Sequence, residues 1–220
     1  MDHPFGFHLP FAGYQLLSGT PLFEISKVDV DSDLIGNQLG QALRELHAQT
    51  LTPVRLPYDP VAGWLRSSQN ELETISDVID RPIFEACGTL LATYQPGKPS
   101  ERPVTTHGDL HVGHTLVDER GELAGIIDWA DAHTSNRYID FAGLWSWGGD
   151  GPVVAAFESY GRNPTSADWG RLRTLGVINV VGLIDFGVRT EDAKIVATGL
   201  GWLKDRQNEG VLRDLYAEPD

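Results

Sequence analysis

The chain has 220 residues, and its 31 Asp and Glu against 17 Lys and Arg give a formal net charge of −14 at pH 7. This length suffices for one domain or a small two-lobed protein with a sizeable core. The negative charge disfavours nucleic acid and anionic membranes as partners and would concentrate a cationic small molecule. Cys87 is the single cysteine, and no segment predicts a signal peptide or a membrane span, so we expect a protein of the reducing cytoplasm. We also expect a monomer.

The N-terminal region divides into an apolar stretch and a helix. Residues 5–17 are apolar and interrupted by Gly and Pro, and residues 19–22 predict a turn. From Asp31 to His47, apolar side chains recur at helical spacing, with Asp31 or Ser32 as the N-cap. His47 ends this helix. It could face the loop at 107–114, but we interpret it as a partly buried histidine whose hydrogen bonds are satisfied.

A loop and a second helical region follow. Residues 50–64 are punctuated by Pro and Gly and predict a loop. Residues 70–94 carry apolar side chains at helical spacing and predict one or two helices. Pro82 cannot lie inside a helix without a kink, so we place a break at Arg81–Pro82.

Residues 103–131 are the segment around which the rest of the chain is organised. Two short apolar runs, at 115–117 and 123–127, flank a polar, Gly-containing turn at 118–122. Such a pattern predicts a β-hairpin.

Polar side chains stand at both ends of this hairpin. The entry and exit of a hairpin lie side by side, so Asp109 and His114 of the entry loop are expected near Asp128 at the exit. Phosphoryl transfer needs a carboxylate that orients the attacking hydroxyl and side chains that hold Mg²⁺ against the phosphates. Asp109 suits the first role, and Asp128 suits the second because a hard cation prefers carboxylate oxygen. We expect His107 to brace the loop by hydrogen bonds.

Beyond the hairpin the sequence predicts four helices. Gly and Pro punctuate this region, and Gly residues inside the third helix argue against one unbroken element. The predicted helices are at 138–147, 152–160, about 167–188 and about 190–206.

The motifs at 103–145 resemble those of a known family. His-Gly-Asp-Leu-His at 107–111 is similar to the catalytic loop of aminoglycoside phosphotransferases and related small-molecule kinases, and Ile-Asp-Trp at 127–129 is similar to their metal-binding motif. Asp140 begins a segment similar to their Asp-Leu-Ala. His114 stands where that family has a metal-binding Asn, and Gly-His followed by Ile-Asp-Trp-Ala-Asp-Ala is similar to macrolide 2′-phosphotransferases.

The resemblance implies an α+β, protein-kinase-like fold. Residues 1–28 would be the hinge and a remnant of the last strand of the nucleotide lobe, and residues 29–220 a mostly helical C-terminal lobe. No Gly-rich loop and no lysine in a strand context precede the hinge in this sequence. We therefore expect this chain to be the catalytic, substrate-binding lobe, with little transfer activity by itself.

The resemblance also implies a reaction and a set of site residues. The γ-phosphate of GTP or ATP would be transferred to the 2′-hydroxyl of a macrolide amino sugar, with Asp109 orienting and deprotonating that hydroxyl. His114 and Asp128 would hold Mg²⁺, with Mn²⁺ tolerated because imidazole nitrogen is a softer ligand than an amide oxygen. His107 and Asp140 would brace the loop. The residues expected to line the substrate cleft are His111, Asp131, Trp145, Ile178 and Phe186.

Three alternatives remain open at this point. The chain could serve an aminoglycoside or other small-molecule kinase. His107, Asp109, His111 and His114 could instead form the metal site of a hydrolase, since imidazole and carboxylate are zinc ligands. A non-catalytic macrolide-binding pseudokinase would bind the antibiotic without turnover.

Overall fold

The structure is a computed structural model, and it describes residues 16–49, 60–94 and 102–212. The described part of the chain is mostly helical with short strands, which confirms the predicted fold class. The helices are α1 (Ser32–Ala48), α2 (Pro60–Thr74), α3 (Arg81–Thr93), α4 (Ile139–Gly148), α5 (Asp150–Tyr160), α6 (Ser166–Arg189) and α7 (Ala193–Asn208). The strands are β1 (Thr20–Pro21), β2 (Val104–Thr106), β3 (Thr115–Val117), β4 (Leu123–Ile126) and β5 (His133–Ser135).

Helix α1 packs against α5 at unusually close range. Asp31 caps α1, and its side chain accepts the N–H groups of the first turn, as predicted. Gly36 and Gly40 face α5; a Cβ added at Gly36 would lie 2.1 Å from the carbonyl oxygen of Pro152. Only glycine allows the two backbones to approach so closely, and this contact fixes the position of α1 against α5.

Helices α2 and α3 differ from the predicted helical region in where they begin and end. Helix α2 begins at Pro60, inside the segment 50–64 predicted as loop, because proline fits the first turn of a helix, where its missing N–H costs nothing. Residues 50–59 of that prediction lie outside the described residues. The predicted break is present, but it spans residues 75–80 rather than Arg81–Pro82: α3 begins at Arg81, with Pro82 in its first turn.

Helix α6 is unbroken, despite the two glycines that argued against it. A capping box between Thr165 and Asp168 begins the helix. Gly176 leaves room for the ring of Trp145, since a Cβ there would lie 2.1 Å from that ring. The helix packs against α2, α3, α4 and α7, so tertiary packing outweighs the weak helix propensity of glycine.

The strands form two small antiparallel sheets. Strands β3 and β4 form the predicted hairpin, with Thr115 opposite Ile126 and an irregularity after Leu116. Residues 20 and 21, predicted as turn, instead form β1, which pairs with β3. Strand β2 pairs with β5. The two sheets hold the loop between β2 and β3 against the segment that follows β4.

The core lies where the helices meet the loop between β2 and β3. It contains buried side chains of every helix, together with Leu110 and Val112 of that loop. Most of the apolar stretch at 5–17 lies outside the described residues. No helix of the described residues is long and apolar enough to cross a membrane.

Candidate active site

Asp140 holds the start of the loop between β2 and β3. The residue is 1% exposed, and its carboxylate accepts the backbone N–H of His107 at 2.9 Å and that of Gly108 at 3.0 Å. The residue lies in the first turn of α4, a position that favours a carboxylate. The loop is therefore anchored to a helix by main-chain contacts.

His47 supports Asp140 from the end of α1. Its Nε2–H donates to Asp140 Oδ2 at 3.0 Å, and its Nδ1 accepts from the hydroxyl of Tyr160 at 2.9 Å. Arg137 donates to the same hydroxyl oxygen at 2.8 Å. The sequence interpretation of His47 as a histidine with satisfied hydrogen bonds is confirmed, and the histidine also supports the loop through Asp140. Helix periodicity could not decide that second point, because its partner is 93 residues away.

His107 has no ring nitrogen left for a metal. Its Nε2–H donates to the carbonyl of Ile127 at 2.9 Å, and its Nδ1 accepts the N–H of Asp109 at 3.3 Å. The side chain is completely buried. The ring thus connects the loop to the exit of β4, and His107 drops out of the ligand set considered for a metal-dependent hydrolase.

The main chain of Asp109 is held on both sides, and its carboxylate projects from the loop. His107 accepts the N–H of Asp109, and His114 donates from Nδ1 to its carbonyl oxygen at 2.9 Å. The Asp109 side chain is 53% exposed. The arrangement presents an accessible carboxylate on a fixed main chain.

The imidazole of His114 lies between the carboxylates of Asp109 and Asp128. Its Nδ1 is 3.8 Å from Asp109 Oδ2, and its Nε2 is 3.5 Å from Asp128 Oδ2. Because Nδ1–H donates to the Asp109 carbonyl, neutral His114 presents a lone pair at Nε2 toward the carboxylate of Asp128. Two acceptors that face each other at this distance fit a cation between them. The structure thus brings together the three residues predicted for catalysis and metal binding.

Asp128 has an unusual backbone conformation. Its φ of 63° and ψ of 66° lie in the left-handed region, which costs most side chains about 1–2 kcal/mol but which Asp and Asn tolerate. This conformation turns the chain from β4 into a 3-10 turn at Trp129–Asp131. Strained conformations of this kind cluster at functional sites.

His111 lies beside His114, with ring centroids 3.8 Å apart. Its Nδ1 accepts the N–H of Gly113 at 3.0 Å. Burial, and next the neighbouring His114, lower the pKa of His111 below its ordinary value of 6.5, so its imidazole is neutral at neutral pH. Asp109, His111 and His114 each offer one ligand atom, and these atoms all lie within 4.8 Å of one another.

Two cavities meet at Asp109. The larger has a volume of about 710 Å³ and the smaller about 220 Å³. Asn179 of α6 also lines both cavities. Three of the residues predicted for the substrate cleft line these cavities: Asp131 and Ile178 line the larger one, and His111 lines the smaller one. The larger cavity is also lined by residues that the sequence did not single out: Trp64, Ser67 and Glu71 of α2, and His133 of β5.

Two residues predicted for the cleft lie elsewhere. Trp145 is fully buried, its ring packs over Gly176, and its Nε1–H donates to Asp150 at 2.8 Å, so it belongs to the core and cannot contact a substrate. Phe186 is 47% exposed on α6 and lines neither cavity at Asp109. Helical periodicity identified the right helices but could not determine which turn faces the site.

Helix α4 touches the loop directly through Gly143. A Cβ added at Gly143 would lie 2.2 Å from the carbonyl oxygen of Leu110 and 2.6 Å from Cα of His111. The position of the loop therefore depends on α4 at two points, since Asp140 lies one turn earlier in the same helix.

A helical lobe with one carboxylate on the loop before a hairpin and a second at the hairpin's exit is the C-terminal lobe of a protein-kinase-like fold. Comparison with known proteins agrees. The family model described as "Phosphotransferase enzyme family" (APH) matches residues 3–175, more than half of the chain. The chain belongs to this phosphotransferase family.

Individual relatives are distant. Over 67 residues the chain is 33% identical to the uncharacterized protein YcbJ of Bacillus subtilis (strain 168); the match covers 30% of this chain and spans only 21% of that protein. The structure is similar to that of the GDP complex of wild-type aminoglycoside 2′-phosphotransferase-IIIa, with a TM-score of 0.65 and 21% identity over 95% of this chain and 73% of that one. It is also similar to macrolide 2′-phosphotransferase MphH from Brachybacterium faecium, with a TM-score of 0.52 and 21% identity over 86% of this chain and 68% of that one. These two similarities are evidence for the fold.

Proposed function

We propose that the protein is an antibiotic kinase that transfers the γ-phosphate of GTP or ATP to the 2′-hydroxyl of a macrolide amino sugar. The observation that carries this proposal is the position of Asp109, whose exposed carboxylate adjoins both an open cavity and the His114–Asp128 pair. A hydroxyl bound in the cavity can reach the carboxylate, while a nucleotide phosphate can approach from the side of the pair. In this proposal residues 29–220 act as the catalytic lobe and residues 1–28 as the hinge region.

The residues of the chain have separate roles in the mechanism. Asp109 orients the acceptor hydroxyl and accepts its proton as the hydroxyl attacks. Asp140 and His107 keep the Asp109 main chain in place. His114 and Asp128 fit a divalent cation, Mg²⁺ or Mn²⁺, which would neutralise charge on the phosphate oxygens. The GDP complex of the aminoglycoside phosphotransferase, a structure of similar fold, supports a nucleotide as co-substrate.

The larger cavity suits a cationic, partly apolar acceptor. Its volume of about 710 Å³ falls in the range of drug-sized ligand sites, roughly 300–1,000 Å³. Trp64 and Ile178 supply apolar surface, and Glu71, Asp109 and Asp131 supply negative charge. A macrolide has both features, a large apolar ring and an amino sugar. The Gly-His and Ile-Asp-Trp-Ala-Asp-Ala motifs add to the case for a macrolide.

An aminoglycoside is the second candidate substrate. The three carboxylates at the larger cavity favour it, because an aminoglycoside carries several ammonium groups and little apolar surface. The macrolide is preferred because the same cavity also has apolar walls on α2 and α6.

The experiment measures nucleotide-dependent phosphorylation of an erythromycin-type macrolide and a kanamycin-type aminoglycoside. It uses the protein encoded by the full reading frame that contains these residues. We expect phosphorylated macrolide, and a loss of at least about 100-fold in kcat for Asp109→Asn, since a general base contributes about 10²–10⁴-fold. Glu119→Gln, an exposed change in the hairpin turn, is the matched control and should leave turnover unchanged. Phosphorylation of kanamycin alone would replace the macrolide with an aminoglycoside, and full turnover by Asp109→Asn would remove this residue from the mechanism.

A further inference from the structure

The proposed reaction leaves one feature of the loop unused. Asp109, His111 and His114 are the one group of three or more His, Cys, Asp or Glu side chains with metal-ligand spacing that the described residues contain. Phosphoryl transfer uses Asp109 as a base and His114 with Asp128, but it uses the imidazole of His111 only as a wall of the smaller cavity. Two imidazoles and a carboxylate form a donor set that suits zinc better than magnesium, because nitrogen is a softer ligand than oxygen.

We propose that Asp109, His111 and His114 bind a transition metal ion of the zinc class when no nucleotide occupies the site. This site is distinct from the His114–Asp128 pair, although the two share His114. Its ligands come from a single loop whose main chain is anchored to Asp140. The binding itself does not depend on the proposed function.

His114 can serve either site because its two ring nitrogens face different carboxylates. When its proton is on Nδ1, Nε2 presents a lone pair to Asp128. When Nδ1 binds a metal beside Asp109, it gives up its hydrogen bond to the Asp109 carbonyl. The proton then lies on Nε2 and can be donated to Asp128 Oδ2, 3.5 Å away. Histidine ligands commonly donate their second N–H to a carboxylate, which orients the ring and raises its basicity. Asp128 is therefore a support for the zinc site rather than one of its ligands.

His111 is placed to bind with little rearrangement. It is half-buried, its ring lies 3.8 Å from that of His114, and it loses only the hydrogen bond from Gly113 on binding through either nitrogen. In a zinc site each ligand atom is about 2.0–2.2 Å from the metal, so ligand atoms lie roughly 3–4 Å apart. Asp109 Oδ2 is already 3.8 Å from His114 Nδ1, and the exposed Asp109 side chain is free to rotate.

Zinc binding would have a consequence for catalysis, and this part of the inference rests on the proposed function. A metal that occupies the carboxylate of Asp109 prevents it from accepting the proton of the acceptor hydroxyl. His114 would then no longer be available as a ligand of the nucleotide-bound cation. Zinc is therefore expected to inhibit transfer in competition with the nucleotide and its magnesium.

The test is calorimetric titration of zinc chloride into the metal-free 220-residue chain, without nucleotide or antibiotic and with magnesium in excess. We expect a single zinc ion per chain, and a loss of affinity of at least about tenfold in each of Asp109→Asn, His111→Gln and His114→Asn, since each removes one metal ligand. His3 and His8 lie outside the described residues, and a His3→Gln/His8→Gln variant is the matched control for zinc binding by those imidazoles.

Two outcomes overturn the inference. One is that any of the three ligand variants keeps an affinity within about tenfold of the parent, because that residue is then not a ligand. The other is that the His3→Gln/His8→Gln control loses the binding. Circular dichroism checks that each variant is folded. The visible absorption of cobalt(II) bound to the unmutated chain is a second measurement that needs no variant, and absence of the d–d bands of a nitrogen- and oxygen-ligated cobalt also overturns the inference.

Failure of this inference can be told from failure of the proposed function. The titration contains no nucleotide and no acceptor, so absence of zinc binding leaves the phosphorylation assay unaffected. Conversely, if the chain binds zinc but the full protein phosphorylates neither antibiotic, the metal site stands and the proposed kinase function is wrong.

Discussion

His47 donates a hydrogen bond to Asp140 over 3.0 Å, and the side chains of both residues are almost completely buried. Through this contact the end of α1 supports the carboxylate that holds the main chain of residues 107 and 108. Tyr160 and Arg137 extend the connection to α5 and to the segment before α4. The base of the proposed reaction is thus positioned through His47, Tyr160 and Arg137, none of which lines either cavity at Asp109.

This network predicts a graded series of stabilities. Asp140→Ala leaves three donors, two of them buried, without an acceptor and should lower the free energy of unfolding by about 3–5 kcal/mol. His47→Ala should cost about 2–3 kcal/mol, and Tyr160→Phe about 1 kcal/mol, because they remove fewer contacts of the network. Urea denaturation of the chain measures all three. A Tyr160→Phe variant as unstable as Asp140→Ala would contradict this order.

Two substitutions at Asp128 separate the effect of its charge from the effect of its left-handed backbone conformation. Asn tolerates the left-handed region as Asp does, so Asp128→Asn should change the free energy of unfolding by less than about 0.5 kcal/mol, while Asp128→Ala should cost about 1–2 kcal/mol. Both variants lose the carboxylate, so both should lower phosphotransfer to a similar extent. Urea denaturation and turnover are both measured on the protein encoded by the full reading frame that contains these residues. Equal stability of the two variants would show that the conformation at residue 128 costs Ala nothing.

The contact between Gly143 and the loop predicts a packing effect on activity. Gly143→Ala places a methyl group against the carbonyl of Leu110, so either α4 or the loop must move. We expect a loss of about 1–3 kcal/mol in stability and of at least about tenfold in kcat. Gly63→Ala is the matched control, since a Cβ at this helical position meets nothing within 4 Å. It should stabilise the protein by about 0.4–1 kcal/mol. Unchanged turnover in Gly143→Ala would mean that the loop tolerates displacement.

Asp168, in the first turn of α6, should make the stability of the fold depend on pH in the acid range. Burial by itself raises the pKa of Asp168, but hydrogen bonds from Tyr138 and Thr165 and the charge of Arg171 outweigh it and hold the pKa below its usual 3.8. A carboxyl whose pKa is lower in the folded state stabilises the fold above its unfolded pKa, and this stabilisation is lost as the pH falls through the folded pKa.

Asp168→Asn should therefore be less stable than the parent at pH 7, and the difference should shrink below about pH 4. The measurement is the free energy of unfolding by urea at a series of pH values. A difference that stays constant down to acid pH would mean that the ionised carboxylate contributes nothing at this helix start.

Local patterns in the chain were enough to predict the helices and the hairpin. Apolar periodicity and the Asp31 cap depend on neighbours within a few residues, and the structure confirms them. The break between α2 and α3 is also present, although it lies at 75–80 and ends at Arg81. The same holds for the proximity of Asp109, His114 and Asp128, because a two-stranded hairpin necessarily brings its entry and exit together. The start of α2 at Pro60 was missed because a proline alone is compatible with either a loop or a first helical turn.

Contacts between distant segments could not be predicted in this way. The place of His47 beside Asp140, the burial of Trp145 over Gly176 and the contribution of α2 to the cavity all depend on how helices pack. A period of 3.6 residues specifies which side of a helix is apolar, but not which neighbour that side meets. The composition and motifs of the chain thus determine its class and its reactive side chains, and the packing of its helices determines what holds those side chains in place and what they face.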